Sequence, residues 1–126
     1  MTENEISFLI RKAIFKVYSN LGPGLFESVY EKALMHELQM LALEVKSQVA
    51  LPFIYETLRF DAGYRMDLLV NEKVVVEVKS IEAINDVHHK QMLTYLKLSG
   101  RKLGILVNFN TGNIEGSIIR KINGTI

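Results

Sequence analysis

The chain has 126 residues, of which 48% are apolar and 23% charged, a balance that excludes a disordered tail. A chain of this length can bury roughly two-thirds of its unfolded surface, so residues 1–126 are expected to form a single domain with its own core. Fifteen Lys and Arg against 14 Asp and Glu leave a net charge of +1, which excludes a generally basic nucleic-acid coat and confines any phosphate contact to a local patch. The absence of cysteine excludes a disulfide framework, thiolate zinc sites and cysteine nucleophiles. Glu3, Glu5, Arg11, Lys12 and Lys16 break up any signal-peptide core, and no apolar run approaches the ~20 residues of a membrane helix. The expectation is a soluble, cytoplasmic domain with no membrane partner.

In chain order, Ile6, Leu9, Ile10, Ala13, Ile14, Val17 and Leu21 recur at helical spacing, and Gly22-Pro23-Gly24 stops that helix. Phe26, Val29, Tyr30, Ala33, Leu34, Leu38 and Leu41 mark a second helix ending near Leu43. The period then changes to two. Val45 to Tyr55 reads as a strand whose Pro52 suggests an edge or a bulge, and Leu58 to Val70 as a long or interrupted strand with a bend at Gly63. Lys73 to Lys79 completes a hairpin with its tip at Asn71-Glu72, and Val74, Val76 and Val78 give it one apolar face. A helix from about Asp86 to Ser99 ends at Gly100. Leu103 to Phe109 is a continuous apolar strand, and a weaker one follows at Ile118 to Ile122. The order ααβββαββ predicts an α/β domain, a central sheet with helices on both faces.

Asp67 and Glu77 are carboxylates set among apolar residues in strands that read as buried, which is costly unless a cation compensates them. Glu77 and Lys79 are two apart and therefore share a strand face. Whether Asp67 joins them depends on the hairpin. A loop of three residues, Asn71 to Lys73, pairs Asp67 with Glu77, whereas a two-residue loop separates them; the odd loop is expected here. Two carboxylates side by side repel, and a hard divalent cation relieves the repulsion; magnesium favours one or two carboxylates with waters and a substrate phosphate. Lys79 beside them would orient a water or stabilise charge developing on a phosphoryl group. An ordinary cross-strand ion-pair ladder of Asp67, Glu77, Lys79 and Arg65 is the competing explanation. It is the better one for each residue singly, but not for Asp67, Glu77 and Lys79 as a set.

Glu27 complements the dipole of the second helix, with Glu31 its i+4 neighbour and Tyr30 most simply a core aromatic. Gln91 and Tyr95 share a face of the third helix. His88-His89 lacks a partner at metal-ligating spacing. Lys90, Lys97, Arg101, Lys102, Arg120 and Lys121 would make either a phosphate-binding rim or a solvated face.

Gly24-Leu25-Phe26-Glu27-Ser28-Val29-Tyr30 resembles the signature of the GxxExxY protein family, within the PD-(D/E)XK nuclease superfamily of restriction-endonuclease-like phosphodiesterases. The resemblance continues through Asp61 to Asp67, Glu77-Val78-Lys79, His88 to Gln91, Thr94 to Lys97 and Gly104 to Asn110. It implies a mixed sheet flanked by helices and a nuclease using Mg²⁺ or Mn²⁺ on nucleic acid, DNA before RNA; the small size of the chain suggests a homodimer, and its near-neutral charge either a local basic cluster or a larger complex that supplies affinity. The catalytic set that the resemblance implies is Asp67, Glu77 and Lys79; the metal ligands are Glu27, Asp67, Glu77 and the Val78 carbonyl. Gln91 and Tyr95 look like the QxxxY element of the RecB-like branch, beside the active site, and Tyr30 and Arg65 join them as substrate-positioning candidates. A non-catalytic module binding nucleic acid or a partner through the same pocket is the alternative.

Overall fold

The computed structural model describes residues 1–126. Thr2 opens helix α1 (Glu3–Leu21) with a capping box in which its hydroxyl accepts from Glu5 N–H while the Glu5 carboxylate takes the Thr2 N–H. Helix α2 (Glu27–Met40) follows the glycine-proline turn. Strands β1 (Val45–Ala50), β2 (Phe53–Tyr55), β3 (Leu58–Phe60), β4 (Arg65–Val70) and β5 (Val74–Lys79) come next. Helix α3 (Asp86–Ser99), β6 (Leu103–Asn108) and β7 (Ile118–Ile122) complete the chain. Helix α3 ends on Gly100 in the left-handed conformation at φ +69, where a side chain would be strained.

Five strands form one mixed sheet in the order β1-β4-β5-β6-β7, with β5 and β6 parallel and the other pairs antiparallel. Helix α3 is the crossover between the parallel pair. Helices α1 and α2 cover one face, where Leu68, Val70, Val74, Val76 and Val78 meet Ile10, Ile14, Tyr30 and Leu34. Helix α3 covers the other, packing Met92, Tyr95 and Leu96 onto Leu69, Val75 and Leu106. All six residues of β6 are buried, as its unbroken apolar run requires of a strand covered on both faces. The fold is α/β with helices on both faces of a mixed sheet. No helix is long and apolar enough to cross a membrane.

The structure divides the two long strands read from the sequence. Leu51-Pro52 ends the first after Ala50, since proline offers no amide to a ladder. Residues 61–64, with Gly63 at φ +85, interrupt the second. The released pieces, β2 and β3, pair with each other as a separate two-stranded sheet beside the main one. β1 is the edge strand that Pro52 suggested.

At Gly104 helix α3 lies close against the sheet, for a Cβ there would lie 2.4 Å from the Met92 sulfur. Met92 is fully buried and has little room to yield. Gly104→Ala should therefore lower unfolding free energy by about 1–3 kcal/mol, read from the urea midpoint at unchanged slope.

Candidate active site

The β4–β5 hairpin has the three-residue loop expected: Val70 pairs with Val74, Leu69 with Val75 and Leu68 with Val76. Asn71 and Glu72 turn the chain with positive φ angles of 49 and 57. One step further on, Asp67 stands opposite Glu77, and there the backbone ladder stops. The Asp67 N–H donates to Glu77 Oε2 at 2.8 Å, and the Val78 N–H donates to Asp67 Oδ2 at 2.9 Å. Each carboxylate takes an amide from the opposite strand in place of a carbonyl, so the strands part with both acids in the seam.

The cause lies partly in β1 and β4. Met66 packs on the α3 side of the sheet and Leu68 on the other, although residues two apart on a regular strand share a face. Val45 and Val49 divide in the same way across Gln48, whose φ of +51 is unusual for a residue with a side chain. The Gln48–Asp67 position is skipped in the register. Both strands thus rotate at this level and turn Asp67 into the seam. The Gln48 amide donates to Asp67 Oδ1 at 3.4 Å and to Glu31 Oε1 at 2.7 Å.

Glu77 is only 3% exposed and neither acid has an ion-pair partner within 4.0 Å. Burial, and next the charge of Asp67, push the Glu77 carboxyl up to about 8. Burial raises Asp67 as well, against the opposing pull of the Val78 amide and Lys79. Glu31 is raised chiefly by burial, with the charges of Asp67 and Glu27 adding to it. The site gathers carboxyls that hold their protons more tightly than usual, with no ammonium or guanidinium paired to Asp67 or Glu77.

The Gly24-x-x-Glu27-x-x-Tyr30 spacing has a physical logic. Gly24 adopts φ +100 to reverse the chain. Tyr30, fully buried and stacked on Phe109 at 4.4 Å, donates its hydroxyl to the Gly22 carbonyl and accepts from the Leu25 N–H. That brace delivers Glu27 as the first residue of α2. Its carboxylate accepts from the Ser80 N–H at 3.0 Å, directly after β5, rather than returning to its own helix cap. The Ser80 hydroxyl bonds back to the Leu25 carbonyl, and the buried Asn108 side chain holds the next residue, Ile81, at both its N–H and its carbonyl.

Lys79 lines a cleft of about 520 Å³ together with Gln91 and Tyr95. Gln91 donates to the Tyr95 hydroxyl at 3.1 Å, so the pair on α3 acts as one unit. Burial, followed by the Glu77 charge, raises the Tyr95 phenol. Arg65 is engaged elsewhere, in a paired contact with Asp61 at 3.1 and 3.2 Å, and it does not form the ion-pair ladder with Asp67 and Glu77. Tyr30 touches the turn and the core, not the cleft. Of the basic residues that could have formed a rim, Lys90 lines the cleft, Arg101 pairs with Glu72, and Arg120 bonds Ser7 and Asn4. Glu31 and Gln48 are additions to the site. The helical spacing from Glu27 signals the first, and nothing in the sequence signals the second.

The chain matches the PD-(D/E)XK nuclease superfamily over residues 4–121, and it belongs to that superfamily. No curated protein and no solved structure matches it.

Superfamily members generally use divalent metals. Asp67 and Glu77 fit such an ion chemically, being hard oxygen donors in a buried pair that lacks a cation. Val78 directs its N–H toward β4, and the carbonyl of the neighbouring Lys79 accepts from Phe109 on the other side, so strand alternation turns the Val78 carbonyl toward the same seam. No three acidic or histidine side chains close on a common point. Two carboxylates and a carbonyl would suit an ion that keeps several waters.

The raised Glu77 carboxyl carries a sign for stability. Without metal, the folded chain holds that proton up to about 8, whereas the unfolded chain releases it near 4.5. Between those values the folded state binds more protons, so stability falls as pH rises and levels off above about 8. Metal-free urea midpoints should follow that fall in the wild type. Glu77→Gln should flatten it.

Proposed function

We propose that this chain is a metal-dependent nuclease that hydrolyses phosphodiester bonds in nucleic acid, DNA being the first substrate to test. The observation that carries the proposal is the opened β4–β5 seam, where Asp67 and the buried Glu77 face each other without a cation while Lys79, two residues on, reaches the cleft. Superfamily membership agrees with it.

In this reading Asp67, Glu77 and the Val78 carbonyl hold Mg²⁺ or Mn²⁺, and Glu27 contributes through the space beside Ser80. An ion held there would supply Lewis-acid chemistry toward the phosphoryl oxygens and would lower the pKa of a water. Asp67 and Glu77 are kept in place by the amides they accept, so little reorganisation is needed as charge builds. The Lys79 ammonium lies at the cleft wall and stabilises negative charge on the phosphoryl group. Gln91 and Tyr95, fixed to each other, orient the strand that enters.

Asp67→Ala and Glu77→Ala should each abolish Mg²⁺- or Mn²⁺-dependent cleavage, and Lys79→Ala should slow it by about a hundredfold or more at saturating metal. Folding of each variant is checked by circular dichroism. Nucleic-acid binding that resists chelation, with no cleavage in any metal, would instead favour a binding module.

A further inference from the structure

The cleft beside the acidic seam has a chemistry that the hydrolytic residues do not require. Lys79 and Lys90 line it, and neither takes part in an ion pair within 4.0 Å. Its lining contains no carboxylate. Thr94 and Gln91 add polar groups. His88 accepts the Asn85 N–H at Nδ1, which leaves its Nε2 free for a ligand. Tyr64, which is 40% exposed, also lines the cleft. Its ring meets Tyr95 edge-on at 6.1 Å and Phe53 at 6.3 Å, and Phe53 in turn meets Phe60 at 5.7 Å. Tyr64 thus belongs to an aromatic row that reaches the β2–β3 sheet, and these contacts hold the ring while part of it stays open.

A cleft of about 520 Å³ lined by a partly exposed aromatic ring and by two lysines outside any ion pair has the character and size of a site for one nucleotide, within the roughly 300–1,000 Å³ typical of ligand clefts. A base can stack on such a ring only when it is out of its own stack. With a net charge of +1, phosphate contacts alone give the chain little hold on a duplex.

Building on the nuclease reading, we infer that the substrate is an unpaired nucleic-acid strand, with the base beside the scissile phosphate stacked on Tyr64 and its phosphates met by Lys79 and Lys90. Tyr64 is a specificity-determining residue, and the β2–β3 sheet is its support.

The test compares a single strand of DNA, the same sequence as RNA, its DNA duplex, and a DNA strand with one abasic nucleotide at the cut position. Cleavage is followed with Mn²⁺, and binding by fluorescence anisotropy with the Asp67→Ala protein, alone and combined with Tyr64→Ala, Tyr64→Phe or Lys90→Ala. Tyr64→Ala should weaken binding of the intact strand about tenfold, with Tyr64→Phe restoring it, because one stacked base contributes on that order. The abasic strand should already be weak and lose nothing more on Tyr64→Ala, a non-additivity that general damage to the fold would not produce. Lys90→Ala should weaken intact and abasic strands alike and reduce the salt dependence. The DNA and RNA arms identify which strand the cleft takes. Equal or better binding of the duplex, or an equal loss on intact and abasic strands, would overturn the inference. Absence of cleavage with the binding pattern intact would count against the nuclease reading and leave the cleft assignment standing.

Discussion

Two backbone amides at the end of the β4–β5 pair bond to carboxylates where an uninterrupted ladder would give them carbonyls. The Asp67 N–H donates to the Glu77 carboxylate and the Val78 N–H to the Asp67 carboxylate, and the remainder of the site follows from these two bonds. They stop the ladder at Leu68 and Val76, open a seam, and fix two acids without using their negative charge. A buried carboxylate that accepts an amide is still undercompensated, because a dipole does less than a cation. This is the reason Glu77 holds its proton so far above the ordinary range. The surrounding fold makes that arrangement possible: β5 is the middle strand of five, with helices over both faces, so Glu77 is only 3% exposed. Local strain and functional placement coincide at Gln48, whose left-handed backbone accompanies the face reversal of β1 and β4.

The helix that brings Glu27 is tied to the same point by different means. The Tyr30 hydroxyl braces the turn before α2, Ser80 bonds both Glu27 and Leu25, and Asn108 holds Ile81. Three elements distant in sequence therefore meet at the end of β5. Helix α3 brings Gln91 and Tyr95 to the cleft from the far face, and Gly104 lets it lie close to β6. Lys79, two residues after Glu77 on β5, lines the cleft and so links it to the acidic seam.

Much of this was legible in the sequence where the signal is local. Helix α3 and strand β7 lie where Gly100 and the apolar periodicities put them. The pairing of Asp67 with Glu77 followed from the parity of one loop, because the side-chain period of a strand is two. The broken strands were less legible, since Ile54, Tyr55, Leu58 and Phe60 have the composition of a strand yet remain exposed on a small separate sheet. Side-chain pairing beyond the strand was illegible. Nothing in the order of residues says that Arg65 turns to Asp61, or that Gln48 adopts a positive φ and bridges Glu31 to Asp67. Tyr30 reads as a core aromatic and is one, but its hydroxyl acts on a turn eight residues back, a contact that depends on the tertiary turn.

The central claim is that the Asp67–Glu77 seam is a pair of acids without a compensating cation, suited to a divalent ion that would displace the Glu77 proton. It is tested most directly by following the side-chain carboxyl carbon of Glu77 by NMR across pH, first without metal and then with saturating Mg²⁺. The account predicts a titration near 8 without metal that moves well below its ordinary value once the ion is present, with Asp67→Ala removing the metal effect. A Glu77 carboxyl that titrates in the ordinary range and is indifferent to Mg²⁺ would contradict it.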